Sequence, residues 1–140
     1  MSGELYHALW RRANVYLREA KRLLEEGEYD VSLAMAEQAA QLAIKAVYVR
    51  LLGYMPRGHN LRRMLGYLAA LLEKEGRGRV AEELKKFVAE NRWQLVLLED
   101  AYTEGRYSLP GYTAEEAHDG LETVERLMRI LREVEEELGD

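Results

Sequence analysis

The stretch GEYDVSLAMAEQAAQLAIKAVYVRLLGYMPRGHNLRRML, residues 27–65, decides the fold. Asp30 stands at the start of a long run free of proline and glycine, where its carboxylate can accept a hydrogen bond from an early helical N–H. Gly53 closes that run, and glycine is the residue most often found just past a helix end. We therefore predict one long helix over Val31–Leu52, capped by Asp30.

The composition of this second helical segment is unusual. Its polar residues mostly fall on one narrow stripe, namely Glu37, Gln38, Gln41 and Lys45. The other sides are apolar and rich in alanine, with Ala34, Ala36, Ala39, Ala40, Ala43 and Ala46. A helix that is polar on a single stripe must be covered on its other sides. We predict that it is the central helix, that the polar stripe faces solvent, and that an alanine face remains for a second subunit.

Outward from this stretch, the two prolines, Pro56 and Pro110, mark the two long breaks. Apolar residues recur at helical spacing in four further segments, which are Glu4–Glu26, Leu61–Lys74, Arg79–Glu104 and Ala114–Leu138. Thr113 and Glu116 have the spacing of a capping box before the last of them. No segment alternates as a strand does. We predict one domain over residues 1–140, an all-α, up-and-down helical bundle of four long helices plus one shorter helix.

The composition limits the possible functions. The 140 residues include no cysteine, which removes disulfides and cysteine metal sites. Twenty basic and 25 acidic residues are interspersed to a net charge of −5, so we expect no binding to duplex DNA. No run approaches the roughly 18 apolar residues of a membrane span, and the first dozen residues do not form a signal peptide. A cytoplasmic protein is the expectation, and the Arg- and Glu-rich, cysteine-free composition is compatible with a thermophilic source.

Residues 27–65 also resemble the first half of a HEPN domain, the small helical module of higher eukaryotes and prokaryotes. The matching residues, in order, are Gly27, Tyr29, Asp30, Ala36, Gln38, Ala39, Ala40, Lys45, Ala46, Gly53, Pro56, His59 and Leu61. Arg106 and Tyr107 match the Arg-Tyr-Pro region before the last helix, although Ser108 and Leu109 here precede Pro110. The likeness covers roughly residues 9–131. It implies a compact helical bundle, a prokaryotic toxin–antitoxin setting and a homodimer.

The resemblance implies two activities in different branches of the family. One branch consists of metal-independent RNases, in which an Arg and a His act across a dimer interface. The other is nucleotide-binding and accompanies a small nucleotidyltransferase encoded beside it. The RNase branch carries an arginine, four to six residues and then a histidine, and none of His7, His59 and His118 follows an arginine at that spacing. We therefore predict no catalytic residue and no cofactor.

Arginines cluster where the third segment begins, with Arg57, Arg62 and Arg63 around His59 and Asn60. The free N–H groups and positive dipole at a helix N-terminus attract anions, and arginine forks bind phosphate bidentately. The alternative is an ordinary helix cap with solvated arginines. At the second break, Arg106, Tyr107 and Tyr112 suit contact with a nucleotide, or else an ion pair and packing at the end of the bundle. The predicted ligand-binding residues are Arg57, His59, Arg106 and Tyr107, and no metal ligands are predicted.

Two other polar residues are candidates. Asn91 interrupts an apolar stripe, where a buried amide needs partners, and it either faces a cleft or fixes the register of a helix contact. His118 is predicted to be a surface or capping residue.

Three functions follow from these residues. The first is a dimeric module that binds a nucleotide-like anion or a nucleotidyltransferase. The second is a divergent RNase using Arg92 or Arg106 with His59 or His118. The third is a scaffold that assembles through Ala40 and Ala43.

Overall fold

In the computed structural model, residues 2–103 and 111–139 are described, and all of their regular structure is helical. The helices are α1 (Ser2–Glu25), α2 (Tyr29–Leu52), α3 (Leu61–Lys74), α4 (Gly78–Glu90), α5 (Arg92–Thr103) and α6 (Ala114–Leu138). The predicted all-α bundle is confirmed. Within the same residues, no helix is long and apolar enough to cross a membrane.

The C-terminal end of α2 agrees with the prediction, and its N-terminal end does not. Gly53 adopts a left-handed conformation, with φ of 83°, and its N–H donates to the Val49 carbonyl at 2.8 Å. This is the predicted glycine stop. At the other end, Glu28 is the residue that precedes the helix, and its side chain makes no capping bond. Asp30 already lies in the first turn, where its carboxylate accepts from the next residue's N–H, so the predicted cap is wrong by two residues.

The second helix is central, as predicted, since it contacts α1, α3, α5 and α6. Its alanines allow this close packing, because Ala36, Ala39, Ala40, Ala43 and Ala46 have no exposed surface. The predicted alanine face for a second subunit is therefore wrong: the chain's own helices already cover it. Assembly through Ala40 and Ala43 is excluded for the same reason.

The fourth segment is two helices instead of one, with the break at Asn91. The Asn91 side-chain amide donates to the Phe87 carbonyl at 2.9 Å, competing with the backbone for the helix acceptor. Its carbonyl oxygen accepts from the Arg126 guanidinium on α6 at 2.9 Å. Asn91 is thus a buried, fully used residue that fixes a contact between helices of one chain. Over residues 2–103 and 111–139 the bundle accordingly has three long helices and three shorter ones, where four long helices and one shorter helix were predicted.

The last helix begins with the predicted capping box. The Thr113 hydroxyl accepts from the Glu116 N–H at 3.0 Å, and the Glu116 carboxylate accepts from the Thr113 N–H at 2.9 Å.

One turn later in α6, Gly120 is buried, and a Cβ placed there would lie 2.4 Å from Leu33 Cδ2. The absent side chain at Gly120 therefore permits α6 to approach the central helix.

Candidate ligand-binding site

The N-terminus of α3 carries an anion from the chain itself. Asn60 caps the helix by accepting from the Arg63 N–H at 2.9 Å. The Glu99 carboxylate, which comes from α5, accepts from the Arg62 backbone N–H at 3.1 Å and from its guanidinium at 2.9–3.0 Å. The Asn60 amide also donates to Glu99, at 3.2 Å. Glu99 thus holds the place that a helix N-terminus offers to a phosphate.

This arrangement divides the predicted cluster in two. Asn60 and Arg62 are structural, because their polar groups bind Glu99 or cap the helix. Arg57 and Arg63 are exposed, and neither guanidinium forms an ion pair with any residue among 2–103 and 111–139. The two arginines are therefore available to an external anion.

These two arginines lie in one groove of about 540 Å³, named here the basic groove. Its lining residues are Tyr48, Leu52, Tyr54, Pro56, Arg57, Gly58, His59, Asn60, Arg63, Met64 and Tyr67. Two of its tyrosines project into solvent, since Tyr54 is 59% exposed and Tyr67 is 69% exposed. Large exposed aromatic rings beside free guanidinium groups are suited to binding a planar anionic ligand.

Tyr54 and Tyr67 were not among the residues predicted from the sequence. Tyr67 lies four residues after Arg63, and this spacing places two side chains on the same face of a helix. That spacing was the available signal for Tyr67. Tyr54 had no comparable signal, because it follows the helix end at Gly53.

A second depression, named here the acidic cleft, adjoins the basic groove and has a volume of about 320 Å³. It is lined by Glu37, His59, Asn60, Val96, Glu99, Asp100, Tyr102 and Thr103. His59 and Asn60 therefore line both depressions and form the boundary between them. The His59 ring packs against the Tyr102 ring, with centroids 5.7 Å apart and planes tilted by 49°.

The floor of the acidic cleft includes Glu37, whose side chain is 0% exposed. Its carboxyl oxygens accept from the Gln41 amide at 2.7 Å and from the Gln38 amide at 3.4 Å. Burial raises the pKa of the Glu37 carboxyl to about 8, against the smaller opposing effect of these amide hydrogen bonds. The predicted solvent-facing stripe is therefore wrong at Glu37 and Gln41, which are buried, while Gln38 and Lys45 are half-buried.

The second predicted group of ligand contacts, Arg106 and Tyr107, lies outside the described residues. Residues on both sides of it adjoin the acidic cleft. Thr103 lines the cleft, and the Tyr112 hydroxyl donates to Asp100, which also lines it. Burial and this bond raise the pKa of Tyr112. The connection after α2 and the described flanks of the segment before α6 therefore meet at one end of the bundle.

The other candidate residues do not join this site. His118 is exposed and lines a separate depression with Lys21 and Glu122. Arg92 begins α5, and Thr103 at the end of that helix lines the acidic cleft. Arg92 lines neither the acidic cleft nor the basic groove, so the structure does not bring it together with His59. Among the described residues, no group of acidic or histidine side chains is arranged to hold a metal ion.

Comparison with known families agrees with this helical architecture, because the family model described as HEPN domain matches residues 6–134. The chain belongs to the HEPN domain family. No curated protein and no solved structure matches it. In this HEPN domain the family segment contains α2 to α5 entirely, and with them both the basic groove and the acidic cleft.

Proposed function

We propose that this HEPN domain is a non-catalytic cytoplasmic module that binds a nucleotide-like anion and works with a small nucleotidyltransferase, as in a toxin–antitoxin pair. The observation that supports binding is a pair of guanidinium groups, Arg57 and Arg63, that have no ion-pair partner within the described part of the chain and lie in a groove with two exposed tyrosines. Arginine forks bind phosphate bidentately, and tyrosine rings stack on nucleobases regardless of their identity.

His59, like Arg57, is a predicted contact that lies in this groove. Its position between the two depressions lets one ligand contact it from either side. Arg106 and Tyr107 are proposed to complete the contacts, since Thr103 and Tyr112 on either side of them adjoin the acidic cleft. Each arginine fork that binds phosphate is expected to contribute roughly tenfold in affinity.

Calorimetry with ATP, GTP and their mononucleotides tests the proposal. Wild type should bind at least one of them, and binding should weaken as salt is raised, because exposed charges are screened. Arg57→Ala, Arg63→Ala and Arg106→Ala should each reduce affinity. Arg11→Ala is the matched control, because Arg11 is an exposed arginine of α1 outside the groove. Negligible heats with every nucleotide would reject the nucleotide half of the proposal.

The partner half has its own test. The nucleotidyltransferase encoded nearest to this gene should form a complex with the purified chain, detected as an earlier peak in size-exclusion chromatography. Separate elution at micromolar concentrations of both proteins would reject this half and leave nucleotide binding standing.

We also infer a homodimer, with an interface other than the alanine face. Trp93 and Val96 lie three residues apart on α5, and both are exposed apolar side chains, at 55% and 40%. Exposed apolar patches on helices are typical of interfaces. Trp93→Glu should lower the mass measured by sedimentation. A dimer mass unchanged in this variant would exclude α5 from the interface.

A metal-independent RNase is the second candidate function. One observation favours it: His59, whose side chain can carry a proton, lines the same groove as Arg57 and Arg63. Incubation with structured and unstructured RNA in the presence of a chelator tests this activity. Cleavage that disappears in both His59→Ala and Arg63→Ala would support it, and intact RNA would reject it.

A further inference from the structure

The acidic cleft differs in chemistry from the basic groove that it adjoins. Among the described residues, the groove is lined by the two guanidinium groups of Arg57 and Arg63, whereas the cleft is lined by three carboxyl groups and by no arginine or lysine. Its volume of about 320 Å³ is in the range of small-molecule pockets. The shared residues, His59 and Asn60, allow one ligand to extend across both depressions.

Most donors that line the cleft are already used inside the protein. The Asn60 amide donates to Glu99. The Thr103 hydroxyl donates to the Glu99 carbonyl at 3.1 Å. The Tyr112 hydroxyl, at the edge of the cleft, donates to Asp100 Oδ2.

Acceptors remain available. Asp100 is exposed, and its other oxygen, Oδ1, has no hydrogen-bond partner within residues 2–103 and 111–139. The Glu99 carboxylate, by contrast, is taken up by Arg62 and Asn60. Within the described residues, the main group of the cleft that can still form a hydrogen bond is therefore the Asp100 carboxylate, which accepts. The rings of His59 and Tyr102 line the same cleft.

From this geometry we propose that the acidic cleft holds the base of the nucleotide and selects bases that carry an exocyclic amino group, with Asp100 as the acceptor. The inference rests on the proposed function, because it assigns the phosphate to Arg57 and Arg63 in the basic groove. An amino group donates to a carboxylate, whereas the carbonyl oxygen of the corresponding oxo base repels it.

Two further features support this assignment. The rings of His59 and Tyr102 provide a wall on which the edge or face of a base packs. Glu37 contributes little negative charge at neutral pH, because burial raises its pKa to about 8. Within residues 2–103 and 111–139, Asp100 is therefore the cleft carboxylate without a cation partner, and the cleft repels the phosphate of the same ligand less than three ionised acids would.

The test compares AMP with IMP, which differ at this edge at C6 (amino in AMP, oxo in IMP) and at N1 (an acceptor in AMP, an N–H donor in IMP), and CMP with UMP, which differ in the same way. A charge-assisted hydrogen bond corresponds to a preference of roughly ten- to a hundredfold for AMP over IMP, and CMP should likewise exceed UMP. Asp100→Asn should reduce the AMP-to-IMP affinity ratio. Glu90→Gln is the control, because it removes one negative charge from an exposed acid outside the cleft. The ratio cancels the general effect of a lost charge on phosphate binding.

The outcomes separate the two proposals. Equal affinities for AMP and IMP in wild type overturn base selection and leave phosphate binding in the groove intact. A wild-type preference that Asp100→Asn retains in full overturns the assignment to this cleft. Negligible heats with these four nucleotides and also with ATP, GTP and GMP overturn both proposals. Because the comparison of AMP with IMP uses the unmodified chain, the inference stays falsifiable if Asp100→Asn fails to fold.

Discussion

The Glu37→Gln substitution is expected to stabilise the protein at neutral and alkaline pH. Burial raises the pKa of Glu37 from 4.5 to about 8, so the folded chain retains a proton that the unfolded chain loses. The contribution of Glu37 to the stability of the wild type is therefore largest below pH 4.5. It falls as the pH rises from 4.5 through about 8. Glutamine keeps the shape of the protonated carboxyl and does not ionise.

The magnitude follows from the difference between the two pKa values. A rise from 4.5 to about 8 corresponds to about 5 kcal/mol when both forms are fully titrated, at about 1.4 kcal/mol per pKa unit. At pH 7 only the part between pH 4.5 and 7 has developed, which is about 3 kcal/mol. Relaxation around the cleft and entry of water reduce this value. As the pH rises from 5 to 8, we expect the free energy of unfolding of Glu37→Gln to increase by about 2 kcal/mol relative to that of the wild type.

Urea unfolding of both proteins at half-unit steps from pH 5 to pH 8.5 measures this gain. Glu83 also has a raised pKa, caused by burial and by Glu133, but it contributes to both proteins and cancels in their difference. Glu122→Gln, on an exposed residue of α6, is the control and should follow the wild type. A difference between Glu37→Gln and wild type that stays constant across this range would refute the reasoning, because no proton would then be linked to folding at Glu37.

Three further substitutions test the packing of the helices around the site. Gly120→Ala should destabilise the fold by about 1–3 kcal/mol in denaturant unfolding, because its Cβ would meet the buried Leu33 at 2.4 Å. Gly66→Ala, in open space within α3, should instead gain roughly 0.5–1 kcal/mol, and equal effects of the two would contradict the close-approach argument. Glu99→Gln should cost about 1–2 kcal/mol by weakening the bonds to Arg62 and α3, and unchanged stability would show that this pair is not needed for the cap.

Local patterns in the sequence predicted the helices well, because helix periodicity and capping depend on residues within a few positions of each other. The capping box of Thr113 and Glu116 and the glycine stop at Gly53 are such short-range features, and both are confirmed. The helix break at Asn91 was not predicted, because Asn91 is held there by a hydrogen bond from Arg126, which is 35 residues away in the sequence.

The site was harder to predict, since its chemistry depends on distant pairs. Glu99 lies 37 residues after Arg62, and no local signal shows that it occupies the N-terminus of α3. Glu37 belongs to a stripe that looks solvated by its spacing, but α3 and α5 pack against α2 and cover part of it. Arg57 and His59 do line one groove, as their proximity in sequence indicated.

Three buried or largely buried carboxyl groups differ in the partners that stabilise them. Glu135 accepts from the Trp10 indole at 2.9 Å and lies 3.8 Å from the Arg50 guanidinium. Glu99 is paired with Arg62 at 2.9 Å. Glu37 has amide partners only, from Gln38 and Gln41, and no cation within salt-bridge distance among the described residues.

A fold selected for stability alone would place an apolar or amide side chain where Glu37 stands, because a buried carboxyl without a cation lowers stability at neutral pH. Perturbed carboxyls in clefts are a recognised mark of functional sites, and Glu37 is the one of the three that combines a raised pKa with a position at the floor of a cleft. The loss of stability caused by Glu37 is therefore best explained by a role of the acidic cleft. The burial of Glu99 and Glu135 is explained by the contacts that they make between helices.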